Sequence, residues 1–158
     1  MTEDIWSFAL DLYAQPGVEA ACLELQEAGA DVCLLLAGTW FAARGRACSG
    51  QRLDTLAKAS ANWQREVVKP LRTLRQQWKA GAQDDAHLEE LRETLKTLEL
   101  RAERLQLERL AEAGRDWTEE EAGSELDAWL QGCAGEAGKA RRGALQQLRT
   151  AAASRAAS

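Results

Sequence analysis

Between residues 5 and 45 the chain starts a helical apolar face three times and breaks it each time. Ile5, Trp6, Ala9, Leu12 and Tyr13 make the first face, and Pro16-Gly17 ends it, because proline cannot sit in a helix interior. Val18, Ala21, Cys22 and Leu25 make the second, closed by Gly29. Asp31 is placed to cap a third, which runs from Val32-Cys33-Leu34-Leu35-Leu36 to Trp40-Phe41 and stops at Gly45. The third is apolar nearly all round, so the pattern predicts a compact three-helix unit over residues 1–45 with this helix at its centre. Thr2 is the expected N-cap of the first helix, with Glu3 and Asp4 in its first turn.

Two long periodic stretches follow. Leu53, Leu56, Ser60, Trp63, Val67, Leu71, Leu74 and Trp78 are spaced three and four apart, a coiled-coil-like seam over residues 51–79. Pro70 interrupts it, and a kink is expected there. After a short linker at residues 80–84, Leu88, Leu91, Leu95, Leu98, Ala102 and Leu105 repeat the seam, and Gly114 stops the helix. So short a linker predicts an antiparallel helical hairpin over residues 51–113. Leu100 and Leu107 point away from that seam, seven residues apart, and suggest an apolar contact face for another element, a partner or a homodimer. Thr118 with Glu119, Glu120 and Glu121 reads as the start of a short helix over 118–131, burying Leu126, Trp129 and Leu130. A last helix is expected around Ala144 to Leu148, with residues 151–158 frayed. The expected fold is all-α: one domain over residues 1–150, with the three-helix unit packed on a long kinked antiparallel hairpin and a short C-terminal helix.

Leu, Ala, Glu, Arg and Gln dominate the 158 residues, which is a helix-forming composition. The acidic start, Met1-Thr2-Glu3-Asp4, lacks the basic region of a secretory signal. The longest apolar run, residues 32–43, is about half the ~20 residues that span a bilayer, so no membrane association is expected. The four cysteines show no CxxC pair and read as reduced thiols of a cytoplasmic protein.

Charge is segregated. Residues 51–79 carry seven basic and two acidic groups, within a chain of net charge −5. Lys58, Arg65, Arg72 and Lys79 lie seven apart, nearly opposite the apolar seam. With Lys69 they form a basic stripe facing solvent or a negative partner, and phosphate contact with RNA or DNA is one reading. The net negative charge and the lack of exposed aromatics between the cations favour a solvated face.

Catalytic chemistry is thinly supplied. The single histidine, His87, reads as a solvated first-turn residue beside Asp84 and Asp85. The cysteine spacings match no zinc pattern, and neither GxGxxG nor GxxxxGK[ST] occurs. No cofactor, metal or catalytic residue is therefore assigned, and an enzyme would need an unrecognised site. Trp6, Trp40, Trp63 and Trp78 lie on apolar faces and read as core anchors.

Trp6-x-Phe8-Ala9-Leu10-x-Leu12-Tyr13, Pro16-Gly17-Val18, Ala21-Cys22-Leu23-x-Leu25-Gln26, Asp31-Val32-x-Leu34-Leu35-Leu36 and Trp40 together resemble a proteobacterial family of unknown function, of about this length. Trp63, Val67, Pro70-Leu71-Arg72 and Leu74-Arg75 fit the same pattern. The chain departs from it at Cys33, where the resemblance predicts Asn. The resemblance implies a bacterial, cytoplasmic helical protein and carries no activity. The residues themselves favour a noncatalytic interaction module acting as adaptor or regulator of a protein partner.

Overall fold

A computed structural model describes residues 3–118 and 125–157. Helix α1 spans Ile5–Tyr13, and its cap is Asp4, whose carboxylate accepts the Ser7 N–H at 2.8 Å. Thr2, the residue expected there, lies outside the described residues. Gly17 adopts φ +82° on the way into α2, Val18–Glu27, a left-handed turn that explains glycine after Pro16. Helix α3, Val32–Ala43, is capped by Asp31. Eight of its twelve residues are buried, so it is the central helix that its all-round apolarity predicts.

Helix α4, Gly50–Trp63, runs into a π-helical turn at Gln64–Val68, and α5, Lys69–Gln77, continues beyond it with Pro70 in its first turn. Pro70 has no N–H to give and its ring crowds the carbonyl four residues back. The wider turn just ahead of it accommodates both effects and turns Gln64 and Val68 inward. A single turn, α6 at Lys79–Ala82, leads to α7, Ala86–Ala113, capped by the carboxylate of Asp85. α7 packs on α4, α5 and α6 as the second arm of the hairpin.

The inner face of α7 differs from the expected seam. Leu95 and Ala102 are buried, but Leu91, Leu98 and Leu105 are exposed, and Arg92, Glu99, Gln106, Leu107 and Leu110 are buried. The helix is turned by about one residue, because Arg92, Glu99 and Gln106 all find polar partners inside and so can be buried. Leu107, expected on an outer contact face with Leu100, is instead 2% exposed in the core, while Leu100 stands alone at 52%.

Helix α8, Leu126–Ala134, packs across α3 and buries Trp129, Leu130 and Cys133. Thr118 is not helical, and residues 119–124 lie outside the described residues, so the helix expected from 118 is described only from Leu126. Gly135, at φ +55°, separates α8 from α9, Glu136–Ala140. Helix α10, Arg142–Ala157, corrects the expectation of a frayed tail. Ala144, Leu148 and Ala152 are buried, and Arg155 stacks on Phe8 and pairs with Glu3 and Asp11. An alanine-rich segment is a good helix former once one face has a surface to cover, here α2, α1 and α8.

One apolar core joins α1 to α4, the end of α7 and α8 to α10. Phe41, Trp117 and Trp129 cluster at one end, with ring centroids 4.8 to 6.1 Å apart. Three indole N–H groups donate to backbone carbonyls: Trp40 to Glu3, Trp63 to Ala102 and Trp129 to Arg46.

Candidate functional site

The residues that cap and turn the helices also build a buried polar network where the start of α3, the α4–π junction and the middle of α7 meet. Asp31 is its hub. Besides capping α3, its carboxylate accepts the Ser60 hydroxyl at 2.5 Å and the Gln106 amide N–H at 2.9 Å. Ser60 in turn accepts from Gln106 Nε2 at 2.6 Å. Burial pushes the Asp31 carboxyl above its ordinary range, against the four hydrogen bonds that favour its charge. Gln106 is wholly buried and Gln64 nearly so, and the side-chain oxygen of each has no hydrogen-bond partner among the described residues.

A charged layer continues along the hairpin. Glu99 accepts Arg75 Nε at 2.5 Å and Nη2 at 3.3 Å, and Arg72 Nε at 3.4 Å. Arg92 donates to the Arg75 carbonyl at 3.0 Å. One turn on, Glu103 is pushed up to about 7, by burial first and by the charge of Glu99 second, with Arg72 and Arg75 opposing. Cys33 donates through sulfur to the Glu103 carbonyl at 3.8 Å. Its thiol is held well above the ordinary range by burial, and the Tyr13 phenol is pushed up to about 12 by the same cause. Neither is a nucleophile at neutral pH. Glu103 is the group here able to exchange a proton near pH 7.

The sign of that titration gives a prediction. A carboxyl with its folded pKa raised from 4.5 to about 7 favours folding fully below pH 4.5 and loses that contribution as pH rises through 7. Asp31, also raised, acts in the same direction. The melting temperature should therefore fall between pH 5 and pH 8. Glu103→Gln should flatten that dependence and stabilise the protein at pH 8 by on the order of 2 kcal/mol. Thermal denaturation of both proteins across this range checks it, and parallel pH profiles would refute it.

The basic stripe is dispersed. Lys58 pairs with Asp54 at 2.9 Å, and Arg65 reaches Glu66 and Asn62. Lys69 and Lys79 are exposed. Arg72, expected on the solvent side with them, turns inward to Glu99 with a side chain only 14% exposed. The π turn between Arg65 and Arg72 shifts the helical phase, so a seven-residue spacing no longer marks one face. His87 is exposed in the first turn of α7. Among the described residues no group of His, Cys, Asp and Glu is placed to hold a metal, and no helix is long and apolar enough to cross a membrane.

Sequence reading assigned no site role to Gln64, Arg92, Glu99, Glu103 or Gln106. The available signal was Arg92, Glu99 and Gln106 at seven-residue spacing, each one place after a leucine. Two clefts lie away from the network. One, about 480 Å³, opens between α8, α9 and α10 and includes Asp127, Lys139, Arg142 and Arg149. The other, about 610 Å³, lies beside Phe8, Thr39, Leu126 and Arg155.

Residues 4–110 match the protein family of unknown function DUF2390. The chain belongs to that family. The matched span holds every member of the polar network, from Asp31 to Gln106, and ends at Leu110 in α7. Helices α8 to α10, which line the smaller cleft, fall outside the DUF2390 span. No curated protein and no solved structure matches the chain.

Proposed function

We propose that this DUF2390 protein is a noncatalytic helical interaction module of the bacterial cytoplasm, an adaptor or regulator that engages a protein partner through the outer flank of its hairpin. The observation that carries this reading is the set of leucines on α7. Leu91, Leu98 and Leu105 are 57%, 51% and 39% exposed and lie seven residues apart, so they form one line rather than scattered apolar positions. Trp63, half-buried in α4, lies beside this line, its indole donating to the Ala102 carbonyl and its face covered by Arg109. Full burial of a leucine is worth about 1.5–3 kcal/mol, so three leucines exposed on one helix face favour a protein contact. The polar network supports the reading in a second way, since paired charges fix the rotation of α7 and so fix which leucines face outward.

The experiment is affinity capture of the tagged chain from native lysate, with and without nuclease. It runs beside two variants: Leu98→Glu with Leu105→Glu, and Lys58, Lys69 and Lys79 all changed to Glu. A defined protein that survives nuclease and is lost in the leucine variant is the expected result. Nucleic acid that is lost with nuclease and in the lysine variant would replace this reading with phosphate contact.

A further inference from the structure

We infer that the partner of the leucine line is a second copy of this chain, bound antiparallel through α7; the inference rests on the reading above of this flank as an interaction surface. One leucine per seven residues is half of a coiled-coil seam, which needs an apolar side chain alternately three and four residues on. The missing positions on the same face are His87, Thr94 and Arg101. An antiparallel pairing with its twofold axis near residue 96 fills all three. The partner's Leu105 falls over His87, its Leu98 over Thr94 and its Leu91 over Arg101. Leucines of the two copies then alternate along one seam about 27 Å long, at 1.5 Å per residue.

Charge selects the same arrangement. Glu90 and Arg104 flank the leucine line on one side and are both exposed. In this register Glu90 of each copy lies opposite Arg104 of the other, twice by symmetry, the isologous pattern that closes a dimer. Parallel pairing would instead set Arg101 against Arg101 inside the seam, a like-charge contact that disfavours it. In the free chain Arg104 makes a 3.4 Å surface pair with Glu108, a contact with the Trp6 ring and a weak attraction to Asp4. It can therefore turn to Glu90 of a second copy at little cost.

The test is light scattering coupled to size exclusion on the full chain across micromolar concentrations, with helicity followed by circular dichroism. The expected species has twice the 17.4 kDa chain mass. Leu98→Glu, at an exposed position, should give a monomer of unchanged helicity. Glu90→Arg and Arg104→Glu should each weaken self-association at least tenfold, and the two together should restore it. A wild-type monomer at every concentration overturns the inference, as does a dimer indifferent to Leu98→Glu or a double charge reversal that fails to restore pairing. The broader reading fails separately. If the chain is monomeric yet the leucine variant still loses a captured protein, the interaction surface stands and only self-pairing is wrong.

Discussion

Glu99→Ala should destabilise the protein by about 3 kcal/mol, read as a lower urea midpoint with little change in slope. The Glu99 side chain is 8% exposed and neutralises two guanidinium groups, Arg72 at 14% and Arg75 at 26% exposure. Removing it strands two cations between α5 and α7, and an unpaired buried charge costs more than the pair itself contributes. The value sits at the low end of the usual 3–5 kcal/mol because Arg75 can reach water. Two companion results sharpen the expectation. Glu99→Gln should lower the titration of Glu103, because the charge of Glu99 is one of the causes that raise it. Changing Glu99, Arg72 and Arg75 together to leucine should recover most of the loss, since a well-packed apolar set can replace an ion cluster without an orphaned charge. If Glu99→Ala melted like wild type, the charged layer would be a surface feature and the argument from burial would fail.

Trp129→Ala should cost about 3–5 kcal/mol, the range for removing a large aromatic from a packed core. Trp129 has no exposed surface, stacks on Phe41 at 5.7 Å and on Trp117 at 6.1 Å, and fixes the loop after α3 by donating to the Arg46 carbonyl at 2.8 Å. Trp129→Phe separates these contributions. It keeps most of the ring contact and removes the N–H, so about 1–3 kcal/mol should be lost through the unsatisfied Arg46 carbonyl. Near-ultraviolet circular dichroism should lose much of its tryptophan signal in the alanine variant. A cost below 1 kcal/mol for Trp129→Ala would mean that α8 does not hold the α3 end of the core.

The two regions differ in how well sequence announces them. The N-terminal unit is legible because each signal there is local: Pro16-Gly17 breaks, Asp31 caps, and an all-apolar stretch from Val32 must be central. The hairpin is legible as a hairpin, and its first arm keeps the expected seam, with Leu56 and Ser60 buried and Trp63, Val67, Leu71, Leu74 and Trp78 half-buried. The second arm is misread in phase. Apolar spacing votes for Leu91, Leu98 and Leu105, and nothing in one helix reveals that Arg92, Glu99 and Gln106 have partners on α3, α4 and α5. The network is invisible for the same reason: its donors and acceptors come from residues as far as 75 apart. The basic stripe fails locally, because constant spacing assumes one helical pitch throughout. The C-terminal helix is hard to read because alanine shows no preference of face until a surface is provided.

The π turn at Gln64–Val68 places the hairpin's first arm under two separate rules. A turn with one residue more than its neighbours works as a clutch between two rotors: the face upstream and the face downstream can be indexed independently. Upstream of the turn Ser60 is set toward Asp31 and Gln106, while downstream of it Arg72 and Arg75 are set toward Glu99. Losing one residue from that turn would leave Ser60, Arg72 and Arg75 chemically intact and disengage the two halves of the network from each other.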